Sequence, residues 1–274
     1  GNRWGMAGVI ILAFFVVVAI LAPWIAPYDP LESHYNADGT LKRMEPPSWA
    51  HPFGTDRQGR DLFSQVVLGT RVALLVGLMS GIMVSAIGTA IGIISGYMGG
   101  RVDAVLMRMT DIVYAIPALP FTMIVVSLLG PSVWNIILAI VLLIWRGTAR
   151  VIRSQVLSLR ERAFVQAAKV SGASDWLIMF RHILPNVLPL SLVYTALAMG
   201  TAILDEAAVS FLGYGDPLLW SWGKVIFMAY VAQVMAEAWW WVVPPGVAIV
   251  LLVLATYFIG RTIEEYFNPR LRAL

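Results

Sequence analysis

The chain has 274 residues, 59% of them hydrophobic and 13% charged, with a net charge of +3 and a mean hydropathy of +0.78. A water-soluble domain carries roughly 25% charged residues, so this apolar surface needs lipid as its solvent rather than a larger core. The basic residues stand beside apolar runs and form no domain of their own, which speaks against nucleic-acid binding, and the absence of Cys rules out disulfides and thiolate metal sites.

A spanning helix takes about 20 apolar residues, and the pattern predicts an all-α membrane protein with about six transmembrane helices. The first occupies 1–26, its apolar run extending from Met6 to Ile25. That run is longer than a signal-peptide core and ends in Pro23-Trp24, an interfacial anchor, so it reads as an uncleaved span. Residues 27–68 are rich in Pro, Asp and Gly, too polar for the bilayer and too irregular for one helix. They are expected to form a small extracytoplasmic subdomain. Within it Asp56, Arg57, Arg60 and Asp61 lie close to Gly54 and Gly59, the pattern of a folded turn.

Residues 69–274 read as one core, with spans near 70–97, 104–129, 133–150, 188–212 and 239–260. Gly77, Gly81, Gly88, Gly92 and Gly96 give the second span small-xxx-small spacings, which let helices approach closely, within the chain or against another subunit. Turns are expected at Gly99-Gly100-Arg101 and Gly130-Pro131-Ser132. In the third span Asp111 lies below Pro117 and Pro120, which should kink the helix. Asp111 has Arg108, Arg146 and Arg150 as candidate partners. Asp205 and Glu206 fall near the outer end of the fifth span. A carboxylate in hydrocarbon is costly, so both should face protein or water. They form either a polar wall or gate on a translocation path, or a buried structural pair held by hydrogen bonds, or a pair simply exposed at the interface. Trp220, Trp222 and the run Trp239–Trp241 read as an aromatic belt at the outer interface.

Orientation follows from Lys and Arg counts. With the N-terminus inside, 13 basic residues fall on the cytoplasmic side and 6 outside. The excess favours two cytoplasmic termini and a cytoplasmic loop at 151–187.

That loop predicts two short helices. Leu159, Ala163, Ala167 and Val170 recur at helical spacing in the first, and Gly172 supplies a helix end. Ser174 or Asp175 can cap the second, whose apolar stripe is Trp176, Phe180, Ile183 and Leu184, and which Leu184-Pro185 should stop. The product is a rigid elbow with small residues, Ala167, Ala168 and Ala173, at its bend. It is either a docking element for another protein or an amphipathic pair lying on lipid headgroups. His34, His51 and His182 are too scattered for a metal site, and neither a nucleophile–base pairing nor a phosphate-cradling Gly-rich loop is present.

The run Gln166-Ala167-Ala168, followed by Gly172 and Leu184-Pro185, resembles the EAA loop of permease subunits of ABC importers. Gln166 stands where the family usually has Glu, and His182 where it usually has Ile. The HPFGTDRQGRD run at 51–61, DIVYAIPALP at 111–120 and EAAVSFLGYG at 206–215 are similar to segments of the smaller-loop permease of the dipeptide/oligopeptide/nickel branch. The resemblance covers about 50–270. It implies the type I ABC importer permease fold, with Gln166, Ala167, Ala168, Gly172, Ala173, Ser174 and Asp175 coupling the chain to an ATPase. It also implies a sister permease, two cytoplasmic ATPase subunits that hold ATP and Mg, and an extracytoplasmic solute-binding protein. No cofactor or metal is expected in this chain, which would not be an enzyme. Peptides are the expected cargo, with nickel or oligosaccharides as alternatives. An ion-coupled secondary transporter working through Asp111, Asp205 and Glu206, or a membrane scaffold, are readings of another class.

Overall fold

The structure, a computed structural model, describes residues 3–267. In chain order these form α1 (Arg3–Ile25), α2 (Leu62–Met98), α3 (Gly100–Tyr114), α4 (Ala118–Leu129), α5 (Val133–Arg160), α6 (Ala163–Val170), α7 (Asp175–Ile178), α8 (Leu184–Val209), α9 (Trp222–Val231) and α10 (Trp239–Phe267). A wide π-helical turn, Met179–Ile183, joins α7 to α8, and a second, Ser210–Tyr214, extends α8. Five helical runs are long and apolar enough to cross a membrane, and the bent pair α3–α4 makes a sixth if counted as one span. The chain is therefore an all-α, multi-pass membrane protein.

α2 is the axis of the molecule. Its 37 residues extend to about 55 Å at the α-helical rise, well beyond a hydrocarbon core of about 30 Å. The glycine stripe explains how other helices lie so close to it. A Cβ on Gly77 or Gly81 would meet Ile203 or Met199 of α8, at 3.0 and 2.4 Å. One on Gly88, Gly92 or Gly96 would come within 2.6–2.8 Å of α5, at Thr148, Ala149 and Val156. Both spacings thus serve packing inside this chain. Val76, Val84, Ile140, Ala149 and Ala202 fill the resulting core, while a second cluster packs Phe15 of α1 and Leu252 of α10 with Val66 and Ala73 of α2, Ile203 of α8 and Trp222 of α9.

α2 begins at Leu62, earlier than the residue-70 start expected from hydropathy, because a folded polar turn launches it. Asp61 accepts from the backbone N–H and hydroxyl of Ser64, both at 2.7 Å, so it caps the helix. Its other oxygen lies 3.0 Å from Nδ1 of the buried His51. Asp56 accepts from the backbone N–H groups of Gln58 and Arg60 and from the Gln65 side chain. Burial pushes the Asp56 carboxyl above the ordinary carboxylate range, and these bonds pull against that shift. The histidines at 34 and 51 are not scattered. Their rings lie 4.9 Å apart, beside Tyr28. Burial first, and the neighbouring His51 second, hold His34 below its ordinary value. His34 Nε2 is buried without a hydrogen bond. Among the described residues no group of three or more His, Cys, Asp or Glu could hold a metal ion.

The expected single span 104–129 is broken. α3 and α4 meet at 85°, because Pro117 lacks a backbone N–H and disfavours helix at the residue before it. The tryptophans also depart from the expected belt. Trp220, Trp222 and Trp241 are buried in the core, where Trp222 Nε1 donates to Val66 O at 2.9 Å. Trp239 alone of that set is well exposed, at 56%.

Candidate functional site

The elbow is built on the end of α5, which runs unbroken to Arg160, ten residues past the expected end of the span. Gln166 Nε2 donates to Arg160 O at 2.9 Å and ties α6 to that end. α6 then stops in a Schellman turn. The Ala173 N–H reaches Ala168 O and the Gly172 N–H reaches Lys169 O, both at 3.1 Å, with Gly172 at φ +80°. Ser174, rather than Asp175, caps α7 by accepting from the Leu177 N–H at 3.3 Å. Asp175 instead accepts from the Tyr97 hydroxyl at 2.8 Å, which fixes the bend to the end of α2.

Two expected stripes are corrected. In α6 the buried residue is Val165, with Ala168 half-buried, while Val170 is 88% exposed and Ala163 and Ala167 face outward. In the second arm Ile178, Met179 and Ile183 are buried, whereas Trp176 and Phe180 stack on one another at the surface. Leu184-Pro185 does not stop that arm. The π-helical turn widens the helix ahead of Pro185, and the chain continues as one helical run from Asp175 to Tyr214. The Asn186 side chain donates to His182 O at 2.7 Å, supplying a donor for that carbonyl. Beneath the elbow, Val165, Ile178, Met179 and Ile183 pack with Ile93 of α2, Ile152 and Val156 of α5 and Val187 of α8.

Polar ties brace the same end of the bundle. Arg153 donates two hydrogen bonds to Asp103 of α3, each 2.5 Å, and Ser95 of α2 also reaches Asp103. Arg160 Nη1 donates to Gly96 O at 3.1 Å. The elbow itself packs on α2, α5 and α8, and Asp103 joins α3 to α2 and α5 at the same end.

A second polar region lies at the α3–α4 break. Asp111 pairs with Arg150, chosen from its three candidate partners. Arg146 Nη1 donates to Val113 O at 3.1 Å, satisfying a carbonyl at the end of α3 with a cation, the favoured charge at a helix C-terminus. The guanidinium groups of Arg146 and Arg150 sit 4.8 and 4.0 Å from the centre of the Tyr114 ring. The structure separates the adjacent carboxylates of α8. Glu206 is buried and accepts from Ser210 Oγ at 2.6 Å. Asp205, half-buried, lies within electrostatic reach of Arg146. The Arg146–Tyr114 arrangement was not legible in sequence, because it depends on the chain turning back at Pro117.

Two family models match the chain. The one described as binding-protein-dependent transport system inner membrane component covers residues 88–273. The one described as the N-terminal TM domain of oligopeptide transport permease C covers residues 1–47. Among curated proteins, the probable D,D-dipeptide transport system permease protein DdpC of Escherichia coli (strain K12) is 38% identical over 272 residues, spanning 98% of this chain and 89% of that protein. The dipeptide transport system permease protein DppC of Alkalihalophilus pseudofirmus is 37% identical over 273 residues, spanning 99% of this chain and 88% of that protein. Helical architecture, elbow and sequence agree: the chain belongs to the family of binding-protein-dependent transport system inner membrane components, as a permease of the dipeptide/oligopeptide/nickel ABC importer type.

Proposed function

We propose that this permease carries di- or oligopeptides, in keeping with the substrates named for its relatives. In this reading it works with a sister permease, two cytoplasmic ATPase subunits and an extracytoplasmic solute-binding protein. The excess of Lys and Arg on one side supports a cytoplasmic elbow and an extracytoplasmic segment 27–68. ATP would bind and be hydrolysed on the ATPases. This chain's part is mechanical: the elbow fits the closed and open ATPase pair differently, because a contact made equally in both states shifts no equilibrium.

The observation that carries this reading is the contrast between base and tip. The base is packed on α2, α5 and α8 and tied by hydrogen bonds to the ends of α5 and α2. The tip leaves Phe164, Ala167, Val170 and Gly172 exposed around a backbone turn with no side chain over it. Gln166, Ala168, Ala173, Ser174 and Asp175 shape and anchor that tip.

A cross-linking experiment tests the reading. The chain has no cysteine, so Ser171→Cys places one thiol at the tip. In the assembled complex a short thiol-reactive cross-linker is expected to join this chain to an ATPase subunit, with a yield that changes on ATP binding. A helix pair resting on lipid headgroups would give no such adduct.

A further inference from the structure

The face of α8 that turns away from α2 carries Tyr194, Thr201 and Asp205. Their spacing places all three on one side of the helix. Thr201 is exposed, and Tyr194 and Asp205 are half-covered. Across from them stand the groups at the α3–α4 break. Tyr194 lies within electrostatic reach of Tyr114, and Asp205 within reach of Arg146. Asp205 and Arg146 nevertheless do not close on one another. Among the described residues no hydrogen bond or ion pair joins them, and Asp205 has no hydrogen-bond donor at all, while Arg146 is held back by Val113 O and the Tyr114 ring.

Groups of opposite charge thus lie unpaired on a partly exposed polar face of a membrane-spanning bundle, with Thr201 and Tyr114 exposed beside them and Asp111 and Arg150 half-exposed below. Lipid cannot cover such a face, because an ionised group facing hydrocarbon is unfavourable. Simple burial would favour closure into a direct pair, since a buried charge left without a partner is the costliest arrangement. Charges held apart by separate anchors on such a face suit water and a solute that brings both charges with it.

We propose that this face is the solute-facing wall of the permease, and that Asp205 and Arg146 receive the ammonium and carboxylate groups of a zwitterionic peptide in transit. The proposal rests on the peptide-importer reading. It adds a polarity along the path: Asp205, then Arg146, then the Arg150–Asp111 pair one helical turn further along α5. Glu206, held by Ser210, takes no part.

The test uses the complete importer in proteoliposomes with its loaded binding protein. Single thiols are introduced as Thr201→Cys, Asp205→Cys and, on the opposite, apolar side of α8, Leu192→Cys. A membrane-impermeant, charged methanethiosulfonate reagent is expected to label the first two and not the third. Trapping the complex with ATP, vanadate and a dipeptide-loaded binding protein is expected to slow that labelling at least about fivefold. In parallel, Asp205→Asn is expected to lower dipeptide uptake at least about tenfold per assembled complex, with Asp205→Glu restoring most of it. Unreactive thiols at both positions on the polar face, or Asp205→Asn uptake equal to that of the parent, would overturn the proposal. If the peptide-importer reading itself is at fault, the parent complex takes up no dipeptide, a result visible before any variant is made.

Discussion

Asp61 shows how much one side chain can organise. It caps α2 through Ser64 and holds His51 through its other oxygen. Asp61→Ala removes the cap, at about 1–2 kcal/mol, and strands a buried imidazole as well. Thermal unfolding and protease sensitivity of the 27–61 segment should both show the loss, whereas Asp38→Ala, on the exposed Asn36–Thr40 turn, should move them little. Acid acts on the neighbouring His34. Its proton affinity is lower folded than unfolded, so the unfolded chain binds more protons below the ordinary histidine value. Stability of this segment should therefore be full near pH 7 and fall as pH drops through about 6.5. Acid-dependent proteolysis from pH 7 to 5.5 measures it, and His34→Phe should flatten the response. Glycine positions separate by the same reasoning. A Cβ at Gly223 would lie 2.2 Å from Ala207 O, and one at Gly246 would meet nothing within 4 Å. Gly223→Ala should lower the yield of folded protein sharply, by about 1–3 kcal/mol of overpacking, while Gly246→Ala should be silent.

At the scale of elements, the elbow was legible where chemistry is local and illegible where it is tertiary. Gly172 as a helix end and Ser174 as a cap follow from backbone needs that any surroundings would impose, and both are found. The buried stripes were misjudged because an eight-residue helix shows two turns, too few for periodicity to select the side that packs. Val165 is inside only because Ile152 and Val156 of α5 lie beneath it. Pro185 misled for a related reason: a proline disfavours a regular α-helix, but here it follows the wider turn at Met179–Ile183 and the helical run continues through it. The same limit applies to Trp222, whose indole finds Val66 O 156 residues away. Gly172 itself has open space around it, so Gly172→Ala meets no clash and should cost only the left-handed strain, on the order of 1–2 kcal/mol. The elbow should fray at its tip, with faster amide exchange at Ala168–Ser174, while the membrane-spanning helices stay protected.

For the whole molecule, the joint between elbow and bundle sets what the chain can do. Arg153, Asp103 and Ser95 bind α5, α3 and α2 at the elbow's end, and α3 turns sharply at Pro117 into the region of Arg146 and Asp205. Motion at the tip is thereby linked to the helices around that region by short, directional contacts. Arg153→Ala should break that link without touching the tip. ATPase subunits should still bind, but peptide uptake per ATP hydrolysed should fall several-fold.

ATP hydrolysis by the reconstituted complex, with and without loaded binding protein, tests the elbow's role most directly when the tip alone is altered. Val170→Asp places a charge on the exposed apolar tip and leaves the buried base intact. The account predicts that this single change abolishes the stimulation of ATP hydrolysis by loaded binding protein and stops peptide uptake. Full stimulation and uptake by a correctly assembled Val170→Asp complex would contradict it.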